Sequence, residues 1–241
     1  SAFSGALLLL VPRVVPGRWL GGLLLSPLLF VRPAVPAPGE AEFTLLDVGQ
    51  GLSAVVRTHH HALVYDVGPA YASGFNTAEA VLLPFLREEG IEHIDILMLS
   101  HADRDHAGGF PALIGRIPIG GVLGGEPAAD TARPCRAGDA WTWDGVRFEL
   151  LHPGEEGLTG NDSSCVLSVR TSGASVLLPG DIEHEREREL VRYWRGALRA
   201  DWLLLAHHGS RTSSTAALIK TVQPQWSVVT SGYANRFGHP H

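Results

Sequence analysis

The stretch Leu97–Gly109, LMLSHADRDHAGG, sets two histidines and two aspartates within six residues, directly behind an apolar run. HIDILMLS (93–100) has the length and apolar content of a buried strand, so His101, Asp103, Asp105 and His106 fall at its C-terminal end. Loops at one edge of a rigid sheet can converge on a single point, and polar residues at strand ends therefore mark sites. The chain repeats the arrangement: Asp66 follows ALVY, Asn161 and Asp162 precede SSCVLSV, Asp181 follows VLLPG, and His207 and His208 follow WLLLA. One such residue alone reads as a cap or a turn. Five strand ends of the same kind point to a shared centre.

Working outward, EFTLLDV (42–48), LSAVVRT (52–58) and HALVYDV (61–67) are short apolar or β-branched runs separated by Gly or His turns, successive antiparallel strands by pattern. NTAEAVLLPFLREEG (76–90) predicts a helix capped by Asn76 or Thr77 and stopped at Gly90, with Pro84 an awkward member. GGVLGG (120–125), GVRFELLHP (145–153), SCVLSVRT (164–171) and ASVLLPG (174–180) predict further strands. DIEHERERELVRYWRG (181–196) is helical, acid-rich at its start and carrying Arg192 and Arg195 near its end, as the helix dipole prefers. ADWLLLAHHG (200–209) and QWSVVTSG (225–232) are late strands flanking a helix, STAALIKTV (214–222). Two sets of strands, each followed by helices, fit an α/β chain of α+β layered type: an αββα sandwich rather than a doubly wound sheet.

The 241 residues are 45% hydrophobic and 18% charged, enough for a substantial core. A formal charge of −6 argues against a basic DNA-binding module, though not against an enzyme whose bound cations supply the positive charge. Residues 1–40 differ in kind, being rich in Leu, Pro and Gly with almost no acids. Val14–Val31 approaches the length of a membrane span but contains Pro16, Arg18 and Pro27. We expect the end of a membrane region, with RPAVPAPGE (32–40) as linker and residues 41–241 as the soluble domain. Arg13 and Arg18 before the run, against Arg32 after it, lean toward a domain outside the cytoplasm. The chain stops at His241 soon after a strand, which leaves room for a missing final element. Cys135 and Cys165 are either two buried thiols or, outside the cytoplasm, a disulfide.

Histidines and carboxylates are the donor types on offer, because two cysteines thirty residues apart resemble no zinc knuckle. His101 and Asp103 can face one cation from the turn, Asp105 and His106 a second, and Asp181, after a tight Pro-Gly turn, can bridge them. Two such cations stabilise both the attacking and leaving oxygens of an in-line displacement.

HADRDH (101–106), PGD (179–181) and AHHGS (206–210) resemble the metallo-β-lactamase superfamily, whose usual first motif is His-x-His-x-Asp-His. The closer likeness is to the β-lactamase-like domain of bacterial DNA-uptake channel proteins of the ComEC family. It is carried by LLDVGQG (45–51), YDVGP (65–69), NDSS (161–164), LLPGD (177–181), LLAHHGSRTSS (204–214) and NRFGHP (235–240). The resemblance implies the αββα fold and two divalent cations. It assigns His101 and Asp103 to the first cation, Asp105 and His106 to the second, and Asp181 to the bridge. One histidine of HHGS completes the second site, His207 being favoured over His208, and Asp66 orients the ligand turn through hydrogen bonds. His239, or His208, would protonate the leaving oxygen. The implied function is a nuclease at the inner membrane, on its extracytoplasmic side. It would degrade the non-transforming strand by metal-hydroxide attack beside the membrane channel region of the same protein, with single-stranded DNA as substrate. Two departures stand out: Asp103 replaces a histidine, and Asn161 of NDSS stands where another histidine is usual. Oxygen donors shift preference from Zn²⁺, still possible, toward Mn²⁺.

Other residues read blandly. His59–His61 are expected in a hairpin turn, and Trp141 and Trp143 in packing before a strand. SRTSS (210–214) could cap the next helix through Ser213 or Ser214, or offer Arg211 to a phosphate. Two rival functions share the same motifs: a hydrolase of lactones or small phosphodiesters, since fold does not fix function, and a non-catalytic domain that guides DNA to the channel.

Overall fold

Strand pairing settles the architecture. A computed structural model describes residues 2–12, 15–26, 28, 33–126, 132–154 and 157–241, which divide into a small unit, Ser1–Ala34, and a large one, Val35–His241. In the large unit the first sheet has the order β1 (Glu42–Leu45), β2 (Ala54–Arg57), β3 (Ala62–Tyr65), β4 (Ile94–Leu99), β5 (Ile119–Gly124), β6 (Arg133–Pro134). The second runs β12 (Trp226–Val228), β11 (Trp202–Leu204), β10 (Ser175–Leu178), β9 (Val166–Arg170), β8 (Val146–His152), β7 (Ala140–Trp143). Each begins as an antiparallel meander, β1–β2–β3 and β7–β8–β9–β10, and then adds parallel strands. Parallel neighbours need crossover connections, and the helical segments between residues 78 and 113 and between 184 and 222 supply those into β4, β5, β11 and β12.

Side-chain alternation along the strands produces the layers. Val55, Val64, Leu97 and Leu99 pack outward against Leu82, Leu86, Phe110 and Leu113 of the first sheet's helices. Val56, Leu63, Tyr65 and Met98 point the other way, against Phe148, Leu150, Leu167, Val169 and Leu178 of the second sheet. A third cluster joins Val166, Leu177 and Leu203 to Leu190, Leu198 and Leu218. This is the expected αββα sandwich.

Several local expectations change. The helix at 76–90 opens as a π turn, Ala78–Leu82, before an α-helix, Leu83–Glu88. Pro84 has no N–H to donate to the Ala80 carbonyl, and the wider turn accommodates the lost bond. Trp141 and Trp143 lie within β7, not before a strand, and their rings pack on Phe148 (5.3 Å) and His61 (4.8 Å). Thr215, rather than Ser213 or Ser214, caps the helix Ala216–Val222, its side chain accepting from the Leu218 N–H. His59–His61 form the turn between β2 and β3.

Cys135 and Cys165 are joined by a disulfide. Cys135 follows β6 of the first sheet and Cys165 precedes β9 of the second, so the bridge ties the sheets through their shared core.

The small unit holds two helices, Ala2–Leu10 and Leu20–Leu25. A Cβ on either Gly5 or Gly21 would collide with the other's carbonyl, so two glycines set how closely these helices approach. No helix among the described residues is long and apolar enough to cross a membrane. Arg13, Val14, Pro27, Val31 and Arg32, on which part of the membrane reading rested, lie outside the described residues.

Candidate metal centre

β4 delivers Ser100 and His101 to the edge shared by both sheets, and the chain turns at once into a single helical turn, Arg104–Ala107. Neighbouring backbone clamps that turn: the Leu52 N–H donates to the Asp105 carbonyl (3.1 Å), and the Val67 N–H to that of His106 (2.9 Å). The approach at Asp105 requires Gly51, which has a φ of +144° and whose Cβ would strike the Asp105 carbonyl. The DVGQG motif thus packs directly on the ligand turn.

Five side chains from three strand ends, those of β4, β10 and β11, converge there. His101, His106 and Asp181 place ligand atoms within 4.8 Å of one another, as do Asp105, His106 and His208. His106 Nε2 lies 3.2 Å from both Asp181 Oδ2 and His208 Nε2. His208 Nε2 is 3.4 Å from Asp105 Oδ2 and 3.5 Å from Asp181 Oδ2. Donors about 2.0–2.1 Å from a tetrahedral cation stand about 3.3 Å apart, so these separations suit atoms around a shared ion. His101 Nε2 is buried without a hydrogen-bond partner among the described residues, although an imidazole nitrogen ordinarily finds one. That orphaned atom and the mixed imidazole–carboxylate set fit a divalent cation.

The ring orientations are fixed from behind. Asp66 is fully buried and accepts from the Ser100 N–H (2.6 Å) and Ser100 Oγ–H (2.8 Å). Its Oδ2 also accepts from His106 Nδ1 at 2.8 Å. A carboxylate only accepts, so Asp66 keeps a proton on His106 Nδ1 and leaves Nε2 as the atom that would give its lone pair to a cation on losing its own proton. Ser100 Oγ, having given its proton to Asp66, is 3.0 Å from His101 Nδ1 and can accept there, which frees His101 Nε2 in the same way. Asp181 is held by its own N–H donating to Ser164 Oγ (3.0 Å).

Proton affinities follow. Burial lowers His106, but Asp181 and Asp66 outweigh it and hold the imidazole well above its ordinary value. Burial and the adjacent His106 push His101 down. Burial raises the Asp181 carboxyl, yet His106, His208 and His101 hold it far below the usual range. Asp105 is lowered too, its burial being outweighed by the hydrogen bond with His208 and the charge of His106.

Other expected site residues stand outside the cluster. His207, favoured from sequence over His208, turns outward: its Nδ1 lies 3.2 Å from Thr212 Oγ1 and 3.4 Å from Glu183. The reason is local. His207 and His208 both adopt left-handed backbone, φ +51° and +54°, ahead of Gly209, and this twist points successive rings apart. Asn161 donates to Glu183 (3.4 Å) rather than toward the cluster. Asp103 is largely exposed at the mouth, with Oδ2 3.5 Å from His101 Nε2. The His239 ring lies 6.0 Å from that of His207. Reading strand ends missed Ser100, Ser164, Glu183 and Thr230, the last 3.0 Å from His208 Nδ1. Their only sequence signal is adjacency to a ligand, as for Ser100, and serine and threonine are too common in turns for that to decide.

Residues 46–229 match the metallo-β-lactamase superfamily. The chain is 42% identical over 241 residues to Competence protein ComA of Neisseria gonorrhoeae, covering 99% of this chain and 34% of that protein. It is 33% identical over 243 residues to ComE operon protein 3 of Bacillus subtilis, covering 89% and 31%. It therefore spans about a third of the length of these relatives. Among solved structures, the subclass B3 metallo-β-lactamase MEM-A1 from a soil metagenome library superposes with a TM-score of 0.53 at 14% identity, over 80% of this chain and 92% of that one. Fold, strand-end cluster and sequence agree: the chain belongs to the metallo-β-lactamase superfamily, as a β-lactamase-like domain of ComEC type.

Proposed function

We propose that this chain is the metal-dependent nuclease domain of a DNA-uptake protein, cutting the strand that is not taken up. The carrying observation is the convergence of His101, His106, His208, Asp105 and Asp181, with His101 Nε2 lacking a hydrogen-bond partner among the described residues. The superfamily and the competence relatives support a metal-dependent hydrolase in competence. Those five residues would hold two divalent cations, with Asp103 at the edge of the His101 side and Asp181 between the two groups. Bound there, the cations supply Lewis-acid polarisation of a phosphoryl oxygen and neutralise developing charge.

The chain's own residues do the rest. Asp66 and Ser100 fix the tautomers of His106 and His101. The Mn²⁺ preference over Zn²⁺ rests on Asp103, the oxygen donor at the edge, beside Asp105 and Asp181, since Asn161 is turned to Glu183. His239, outside the donor cluster, is the group left to protonate the leaving oxygen, whereas His208 has its Nε2 turned inward. The disulfide supports a location outside the cytoplasm, where such bonds persist.

The test is incubation with single-stranded DNA and Mn²⁺ or Zn²⁺, alongside Asp105→Ala. We expect cleavage with Mn²⁺ that falls at least a hundredfold in the variant. Binding without cleavage in both would favour a DNA guide, and neither would favour another hydrolase substrate.

A further inference from the structure

Beside the ligand turn lies a cleft of about 600 Å³ whose lining includes Tyr71, Phe237, Arg104 and Arg236 together with the carboxylates of Asp103 and Asp105. Its volume is within the usual range of small-molecule sites, about 300–1,000 Å³, and Asp105 makes it continuous with the donor cluster. Its two arginines balance its two aspartates, so the cleft is not acidic although the molecule carries a net charge of −6. Arg104 and Arg236 are both exposed, and among the described residues neither forms an ion pair with a carboxylate. Tyr71 and Phe237 are 43% and 48% exposed at the cleft. Phe75 packs against Tyr71 at 5.8 Å, while the Phe237 ring carries the Arg236 guanidinium at 4.7 Å and the His239 ring at 5.5 Å and keeps the rest of its surface open. The segment bearing Asn235–Phe237 is tethered to the DVGQG loop, the Gly232 N–H donating to Gln50 Oε1 (3.2 Å), and Asn235 Oδ1 accepts from the Phe237 N–H (3.1 Å). This wall is therefore fixed relative to the ligand turn.

We propose that this cleft seats the nucleotides of single-stranded DNA next to the cut site, Arg104 and Arg236 on phosphates and Tyr71 and Phe237 stacked on bases. Cationic side chains interleaved with exposed aromatic faces are what a flexible single strand requires. Phosphates are met without regard to sequence, and every base has a π face to stack. A duplex hides those faces, so the cleft selects for unpaired strands. The assignment rests on DNA being the substrate, and it concerns binding rather than chemistry.

The test uses a fluorescent twelve-residue oligo-dT and anisotropy in EDTA, where no cleavage proceeds, across a salt series. Circular dichroism records that each variant keeps its fold. Arg104→Gln/Arg236→Gln should weaken binding at least tenfold and reduce the slope of log affinity against log salt by about 1.4, near 0.7 per phosphate contact. Tyr71→Ala/Phe237→Ala should weaken it at least tenfold with the slope unchanged. Arg188→Gln/Arg192→Gln, an equal charge loss on the helix His184–Trp194, should leave affinity unaltered. In Mn²⁺, the cleft variants should raise KM for the oligonucleotide more than they lower kcat. Wild-type affinity in both cleft variants, the same loss in the Arg188/Arg192 control, or no oligonucleotide binding by the wild type overturns the proposal. Cleavage by the wild type with unaltered binding in the cleft variants sinks the cleft alone. Binding that depends on the cleft without any cleavage sinks the nuclease reading alone.

Discussion

His208 is constrained at both ring nitrogens, Nδ1 by Thr230 and Nε2 by its place facing Asp105 and Asp181, while its neighbour His207 meets Thr212 and Glu183. His208→Ala should therefore lower metal affinity at least tenfold, and His207→Ala should change it by less than about twofold, in competition with a chromophoric chelator. The reverse order would put His207 back as the ligand. Asp66 makes a finer test. Its φ of +59° lies in the left-handed region, which Asn tolerates as well as Asp, so Asp66→Asn keeps the backbone while weakening the acceptor for His106 Nδ1. Loss of such an orienting carboxylate typically costs 10–100-fold in metal affinity. Chelator competition should show a loss of that size, and wild-type affinity would mean that Ser100 alone orients the ring. The donor types were legible in sequence because His and Asp recur at strand ends. The choice between adjacent histidines was not, since it depends on two left-handed dihedral angles.

Between elements, Asp144 links turns far apart in the chain. Its Oδ2 accepts from Thr58 Oγ1 (2.6 Å), the His60 N–H (2.8 Å) and His61 Nδ1 (3.1 Å), joining the β2–β3 turn to the β7–β8 turn. Burial raises its carboxyl, but these three donors outweigh it and hold it far below the ordinary carboxylate range. A depressed folded value stabilises the protein above the unfolded value, about 4, and that contribution disappears as pH falls toward the folded value. Asp144→Asn, which tolerates the native φ of +50°, should cost about 1–3 kcal/mol at neutral pH. In urea unfolding, its deficit against the wild type should hold from pH 7 to pH 5 and narrow by pH 3. A deficit unchanged at pH 3 would show that charge plays no part. Element positions were largely readable because period-two alternation and Gly or Pro punctuation survive in each strand run. β6 was not, being two residues, Arg133–Pro134, without apolar pattern. β7 was missed because it is four residues long and ends at the Asp144–Gly145 turn, although Trp141, Thr142 and Trp143 favour strand.

Across the whole molecule, the disulfide and the cluster share a scaffold. The Cys165 N–H donates to the Ser100 carbonyl (2.9 Å), and Tyr65 Oη–H to the Cys165 carbonyl (2.5 Å). The bridge closes a separation of 30 residues, worth about 3–4 kcal/mol in the chain-entropy account. Cys135→Ser/Cys165→Ser should lose stability of that order in denaturant titration, and wild-type stability would show that inter-sheet packing suffices. By itself, the sequence determined the two sets of strands, the layers they imply and the residue types of the centre, because hydrophobic period and turn chemistry are local properties. Only the tertiary structure decided whether the two cysteines pair, that His208 faces inward, and that DVGQG backs the ligand turn. Each of these depends on chain segments about 30 to 100 residues apart meeting at one sheet edge, and no local pattern encodes such distances.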